Sequence, residues 1–303
     1  MVVISVLNEE KLKTYRKVGK LTGEIRDTIQ EKVKLGETLL NIAETTEELI
    51  RDKGAEPAFP CNVSVNEFAA HYSPPEGDET EIKEGDLVKV DIGAHIDGYI
   101  ADTAISIATD EKGEKLVNAV NQVLEKAIQA VKPGVNVGEI GAVIENTANE
   151  AGFKPIENLT GHSLARWSLH SGITIPNVEK DTEDELKEDD VIALEPFITD
   201  GAGEVEDQPE VYIFRYLSSE PVSGRMARQT IRRISKKYGK LPFAERWLAR
   251  DMSKIRLQMT LRELLTSGAI HPYYVLKEIE DGMVAQAEHT LIVTKDGCEV
   301  TTQ

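Results

Sequence analysis

Thiol groups are nearly missing from this chain. Its 303 residues include two cysteines, Cys61 and Cys298. They lie far apart in sequence, which excludes a disulfide framework and a cysteine-rich zinc site and suits a reducing compartment. Long apolar runs are missing too. No stretch approaches the roughly 20 residues of a membrane span, and the opening MVVISVLNEEKLKTYRK turns charged too early for a signal peptide. The expectation is a soluble, cytoplasmic protein with no membrane contact. There is no Gly-rich phosphate loop and no repeated parallel unit, so a Rossmann-like architecture is disfavoured. Basic residues are outnumbered, 35 against 53 acidic, for a net charge of -18 at pH 7. The whole molecule therefore does not read as a nucleic-acid binder.

What is present is enough apolar residue, 40%, for one large domain or a domain with an insert. The stretch around which the chain is organised is VKVDIGAHIDGYIADTAISIA, residues 88–108. Two strand-like runs flank Asp97-Gly98, a two-residue turn of the type I′ kind. If Ile96 pairs with Tyr99, Gly93 faces Asp102, and Asp91 and Asp102 share one face on a diagonal. Their Cβ atoms would then be roughly 7 Å apart, close enough to share an ion. A surface hairpin with solvated aspartates is the other reading of this segment alone.

Helical periodicity covers two segments between Asn8 and Lys53, the second opening at Gly36-Glu37-Thr38, and two more at Lys112–Ala130 and Val137–Ala151. Residues 58–72 are short and strand-like. Val191–Ile198 reads as one buried strand carrying Glu195, and Ala285–Thr301 as a closing hairpin around Asp296-Gly297 carrying Glu288. The acidic run Asp181–Asp190 reads as a solvated loop. Strands and helices in this order predict an α+β fold with a largely antiparallel sheet.

Between the last two strand regions the composition changes sign. Residues 212–271 hold thirteen Lys or Arg and four Asp or Glu, a balance of +9; the remaining residues hold 22 and 49, a balance of -27. Amphipathic patterns at Met226–Tyr238 and around Leu257, Leu261, Leu264 and Leu265 suggest a small helical subdomain of residues 212–271, inserted into a main domain of residues 1–211 and 272–303. Its cationic face either pairs with acidic surface such as 181–190 or meets an external polyanion.

Carboxylates and an imidazole in apolar or glycine-rich settings form one set: Asp91, Asp102, His162, Glu195 and Glu288. Four carboxylates and a histidine without thiolate are hard ligands for Mn, Fe(II), Co or Zn. Two divalent ions would offset the four negative charges, and a water shared between them would ionise to hydroxide near neutral pH. Hydrolysis of an amide or ester is the matching reaction class.

Five stretches, in order, resemble the methionine aminopeptidases of type 2, and their archaeal form in particular: FPCNVSVNEFAAHYSP (59–74), VDIGAHIDGYIADTA (90–104), TGHSLARWSLHSG (160–172), ALEPF (193–197) and AQAEHT (285–290). The resemblance implies the pita-bread (creatinase/aminopeptidase) fold, with residues 212–271 as a winged-helix-like insert. It implies removal of the N-terminal methionine from nascent chains with a small second residue, through attack of a hydroxide bridging two divalent metals. Asp91 would chelate one ion, Asp102 and Glu288 would bridge both, and His162 and Glu195 would complete the other. His71 would contact the substrate amide or nitrogen, His170 the scissile carbonyl oxygen, and Glu195 would also shuttle the proton. Phe59, Leu169 and Tyr273 would line the methionine pocket, ordinary core packing being the alternative. His95 and His289 are expected to be structural. The implied molecule is a monomer, and its basic insert would contact the ribosome. The alternatives are a proline-specific peptidase of the same fold and a non-catalytic ribosome- or nucleic-acid-binding relative.

Overall fold

The computed structural model describes residues 9–218, 222–250 and 252–303; Asn8, the first residue of the region expected to hold two helices, lies outside them. The chain begins with α1 (Glu9–Gln30) and α2 (Leu39–Asp52), then β1 (Glu56–Pro57), β2 (Asn62–Val65), β3 (Phe68–Ala70) and the long hairpin β4 (Leu87–Ile96) and β5 (Tyr99–Ala108). Next come α3 (Glu111–Ala130), α4 (Val137–Glu150), β6 (Lys154–Pro155), β7 (Thr160–Ser163), β8 (Thr174–Pro176), β9 (Val191–Leu194) and β10 (Phe197–Thr199). The last third holds β11 (Val205–Tyr216), α5 (Arg225–Tyr238), β12 (Pro242–Ala244), α6 (Glu245–Ala249), α7 (Lys254–Thr266), β13 (Ile270–Glu278), β14 (Val284–Gln286), β15 (His289–Val293) and β16 (Cys298–Val300).

Local chemistry accounts for the boundaries. Thr38 accepts the Asn41 N–H at 3.2 Å to open α2, Asp110 accepts that of Gly113 at 2.7 Å to open α3, and Asn136 accepts that of Gly138 at 2.8 Å to open α4. Each satisfies an otherwise orphaned donor of a first turn. At the hairpin tip Asp97 and Gly98 both have positive φ, 51° and 83°, as a type I′ turn demands. Ile96 pairs with Tyr99, Gly93 with Asp102 and Asp91 with Ala104, the register expected.

Helix pairs cover two antiparallel sheets. Val18, Ile25 and Ile29 of α1 and Ile42 and Ile50 of α2 pack on Val63, Val90 and Ile92 of the β1-β4-β2 sheet, to which β5 is joined through β4. Leu116, Val120 and Val123 of α3 and Ile140 and Ile144 of α4 pack on Ile175, Ile192 and Leu291 of the β16-β15-β9-β7-β8 sheet. A short sheet, β14-β10-β6, and a longer one, β12-β11-β13-β3, complete the strands. Helices α5 and α7 fall where periodicity placed them, and with α6 they enclose an apolar cluster that includes Ile231, Ile234, Phe243, Trp247 and Leu261. Among the described residues no helix is long and apolar enough to cross a membrane.

Two expectations are corrected. Val191–Ile198 is not one strand: β9 pairs with β15 and β10 with β14, in different sheets. Pro196 at the break has no N–H to give a ladder. Likewise the closing hairpin is only β15–β16, Leu291 pairing with Val300 and Val293 with Cys298, while β14 belongs to the short sheet. Glu195 and Glu288 sit at these two breaks, where the chain steps from one sheet to another.

Candidate metal centre and catalytic cavity

The two sheet crossings bring their carboxylates to the central hairpin. Glu288 N–H donates to Ala104 O at 3.1 Å and Ala104 N–H to Glu288 O at 3.4 Å, an isolated bridge onto β5. Threonine hydroxyls extend this join: Thr103 Oγ1 donates to Glu288 O at 2.7 Å. Thr290 Oγ1 accepts from Asp102 N–H at 2.7 Å and donates to Asp102 O at 2.8 Å. The backbones under Asp102 and Glu288 are therefore locked together. His162 arrives on β7, paired with Ala193 of β9.

These elements surround a cavity of about 210 Å³. All five residues of the expected ligand set line it: Asp91, Asp102, His162, Glu195 and Glu288. So do His71, His170, Phe59, Leu169 and Tyr273. One ligand-capable atom from each of Asp102, His162 and Glu288 falls within 4.8 Å of the others. His162 Nε2 is 3.3 Å from Glu195 Oε1 and 3.8 Å from Asp102 Oδ2.

Burial dominates the electrostatics. It pushes the carboxyls of Asp91 and Glu195 up to about 8, the Glu195 charge adding to the shift at Asp91. Asp102 and Glu288 are driven well above the ordinary carboxylate range by burial and then by the surrounding carboxylates. Protein donors do little to relieve this. Asn62 Nδ2 donates to Asp91 Oδ2 at 3.2 Å and Gln286 Nε2 to Glu288 Oε2 at 3.4 Å. Asp91 Oδ1, Asp102 Oδ1 and Glu288 Oε1 are buried with no hydrogen-bond partner. Crowded carboxylates with orphaned oxygens fit divalent cations, which would accept those lone pairs and offset the charge.

Burial also acts on the imidazoles of the cavity, favouring their neutral form. Burial lowers His162 to about 4, lowers His170 to about 3 with help from His162, and holds His71 below its ordinary value. The His162 and His170 rings meet edge to face at 4.4 Å. His71 has φ 65°, and its Nδ1 lies 3.0 Å from Tyr274 O. Phe59 presses on Gly93, where an added Cβ would lie 2.1 Å from its ring. His95 and His289 stand outside the cavity lining. His95 Nδ1 accepts the Gly98 N–H at 3.2 Å, and His289 Nδ1 is 2.8 Å from Thr302 Oγ1.

Sequence reasoning missed Asn62 and Gln286, the amide donors, and Ile213 and Pro242, which also line the cavity. Asn62 is opposite Asp91 in the β2–β4 ladder, a pairing that no turn signal announces. Ile213 and Pro242 lie inside the basic segment, whose charge drew attention away from its apolar positions.

The family model for metallopeptidase family M24 matches residues 13–295, and the chain belongs to that family. The methionine aminopeptidase of Methanothermobacter thermautotrophicus is 46% identical over 295 residues, 96% of this chain and 99% of the relative. Among solved structures, the methionine aminopeptidase of Thermotoga maritima superposes with a TM-score of 0.73 at 24% identity, over 99% of this chain and all of that one. The prolidase of Pyrococcus horikoshii superposes at 0.64 and 18% identity, covering 98% of this chain but 63% of its own. The fold is thus the α+β pita-bread fold, and within the family this chain is a methionyl aminopeptidase.

Proposed function

We propose that the cavity removes N-terminal methionine from nascent proteins and peptides whose second residue is small. Asp91, Asp102, His162, Glu195 and Glu288 would hold two divalent ions drawn from Co, Mn, Fe(II) and Zn. The observation that carries this reading is the group of four crowded carboxylates, three of which, Asp91, Asp102 and Glu288, keep a buried oxygen that no hydrogen-bond donor reaches. Ions bound there would supply Lewis acidity toward the scissile carbonyl and a water that ionises near neutral pH.

The rest of the chemistry lies with the chain. Phe59, Leu169 and Tyr273, joined by Ile213 and Pro242, make an apolar recess suited to an unbranched, polarizable thioether. A carbonyl oxygen only accepts, so His71 Nδ1–H donates to Tyr274 O, and the neutral ring keeps Nε2 as an acceptor for a substrate N–H. Neutral His170 has one N–H to give the carbonyl oxygen as charge builds on it. Glu195 takes the proton of the attacking water on a carboxylate oxygen and passes it to the leaving amine. The test is turnover of Met-Gly, Met-Ala and Met-Leu peptides by metal-stripped protein with each divalent ion restored. Met-Gly and Met-Ala should turn over only with metal, Met-Leu poorly, and N-acetylated peptides not at all. Full activity without metal, or rapid cleavage of acetylated peptides, would contradict the reading.

We assign residues 1–211 and 272–303 to the catalytic domain and 212–271 to an inserted subdomain, supported by the separate apolar cluster of α5–α7. Arg225, Arg228, Arg232, Arg233, Lys236 and Lys237 are exposed on α5. In the cytoplasm this face would hold the acidic monomer at ribosomal RNA phosphate, with log affinity falling by about 0.7 to 0.9 per contact for each unit of log salt. Reversing Arg232, Arg233, Lys236 and Lys237 to Glu should abolish co-sedimentation with ribosomes and spare tripeptide cleavage. Unchanged co-sedimentation across a salt series would refute the contact.

A further inference from the structure

Three of the segments that line the cavity, those carrying Phe59 and Asn62, His71, and Pro242, are gripped by one buried cluster outside it. Glu47 of α2 is 1% exposed and Arg246 of α6 is 3% exposed. Their side chains form an ion pair, and Trp247 Nε1 donates to Glu47 Oε2 at 2.6 Å. Arg246 also donates to Ser73 Oγ at 2.5 Å. Ser73 Oγ donates to the carbonyl of Cys61 at 2.9 Å, while the Cys61 N–H donates to Glu47 at 3.3 Å. Both peptide groups of Cys61 are held. Phe59 lies two residues before it, and Asn62, the donor to Asp91, follows directly. His71 lies two residues before Ser73, and Pro242 four before Arg246.

A corner that only needed filling would not call for these groups. Apolar side chains of similar volume often serve as well as a buried ion pair, or better. What a paired carboxylate and guanidinium add is fixed direction, because their hydrogen bonds are short and angular. None of Glu47, Arg246 and Trp247 lines the cavity, so any effect on the reaction passes through Phe59, Asn62, His71 and Pro242.

We propose that Glu47, Arg246 and Trp247 form a positioning cluster that sets the width of the recess between Phe59 and Pro242 and the aim of His71. It governs the preference for methionine as well as turnover. The proposal rests on the pocket reading given above.

The test uses metal-loaded, full-length enzyme. The paired variant Glu47→Leu/Arg246→Met removes both charges and strands neither. Its metal content should stay near the parent's, while its melting temperature falls by several degrees because Trp247 Nε1–H and the Cys61 N–H lose their acceptor. Its kcat on a Met-Ala peptide should fall about 10- to 100-fold, the scale of a small misplacement. Its kcat/KM ratio for N-terminal methionine over leucine should fall about tenfold. Trp247→Phe, which removes one donor, should move both quantities the same way by smaller factors, and it decides the matter if the paired variant does not fold. Phe59→Ala tests the pocket separately. If it lowers the methionine-to-leucine ratio while the folded cluster variants keep the parent's ratio and kcat, the cluster merely welds two elements and the proposal is overturned. If Phe59→Ala leaves the ratio unchanged, the pocket reading falls and the proposal falls with it.

Discussion

Buried carboxylates occur here in two kinds of setting. Glu278, 1% exposed, accepts four backbone N–H groups: Ala202 and Gly203 on one oxygen, Glu280 and Gly282 on the other, at 2.5, 3.1, 2.8 and 2.8 Å. Glu47 has a guanidinium, an indole and a backbone amide. The four carboxylates of the cavity share two side-chain amides, at 3.2 and 3.4 Å, and one imidazole. This chain can satisfy a buried carboxylate fully when the purpose is to hold a loop or join two elements. Where it leaves a crowd of them short of donors, the deficit matches an external cation.

The sharpest way to break that contrast is to neutralise one carboxylate of each kind. Asp102→Asn or Glu288→Gln should cut kcat by about 1000-fold or more, as for a member of a unit that acts together. Peptide turnover and bound metal per chain check this; retention of two ions and near-parent turnover would dissolve the distinction. His170→Ala, which leaves the carboxylates intact, should cost roughly 10- to 1000-fold in kcat with a smaller change in KM. An unchanged kcat would make that imidazole structural.

Metal removal turns the deficit into a pH dependence. The cavity carboxyls bind protons more tightly folded than unfolded, with Asp91 and Glu195 reaching about 8. The folded state therefore holds extra protons between the ordinary carboxylate range and about pH 8. Metal-stripped protein should lose stability as pH rises through that window, and restored metal should reverse the loss. Melting temperatures at pH 5, 6.5 and 8, with and without chelator, measure it; a flat metal-free profile would count against the crowding. The smallest effect on turnover should come from Glu278→Gln, within about twofold, a change short of 1 kcal/mol in the barrier. Its melting temperature should nonetheless drop by roughly 5 °C, since donors once shared by a carboxylate go unmet. A thousandfold activity loss there would erase the comparison from the other side.

Local signals carried the central hairpin well. Asp97-Gly98 and alternating apolar residues were enough to place Gly93 opposite Asp102, because a two-residue turn leaves one register open. The helices were legible from their apolar periodicity, with Thr38 read at the opening of α2; the caps Asp110 and Asn136 went unread although they act within their own first turns. The breaks at Glu195 and Glu288 were not legible. A run such as VIALEPFI reads as continuous until its partners are known, and those partners, β15 and β14, come about ninety residues later. The site residues inferred from family resemblance converge on one cavity; Asn62 and Gln286 lie inside two of the matching stretches but were given no role there, and Ile213 and Pro242 lie in none of them. The Glu47–Arg246 contact spans 199 positions, beyond the reach of any periodicity.

The contact between Gly93 and Phe59 has a consequence for how substrate range can change. Gly93 matters through a carbon atom it does not have. A methyl group there would collide with the ring and displace it from β4. If Phe59 bounds the methionine recess as proposed, its size limit is recorded partly by omission, on a strand behind the wall. A lineage or a designer can retune it from there, leaving the identity of every side chain that meets the substrate as it was.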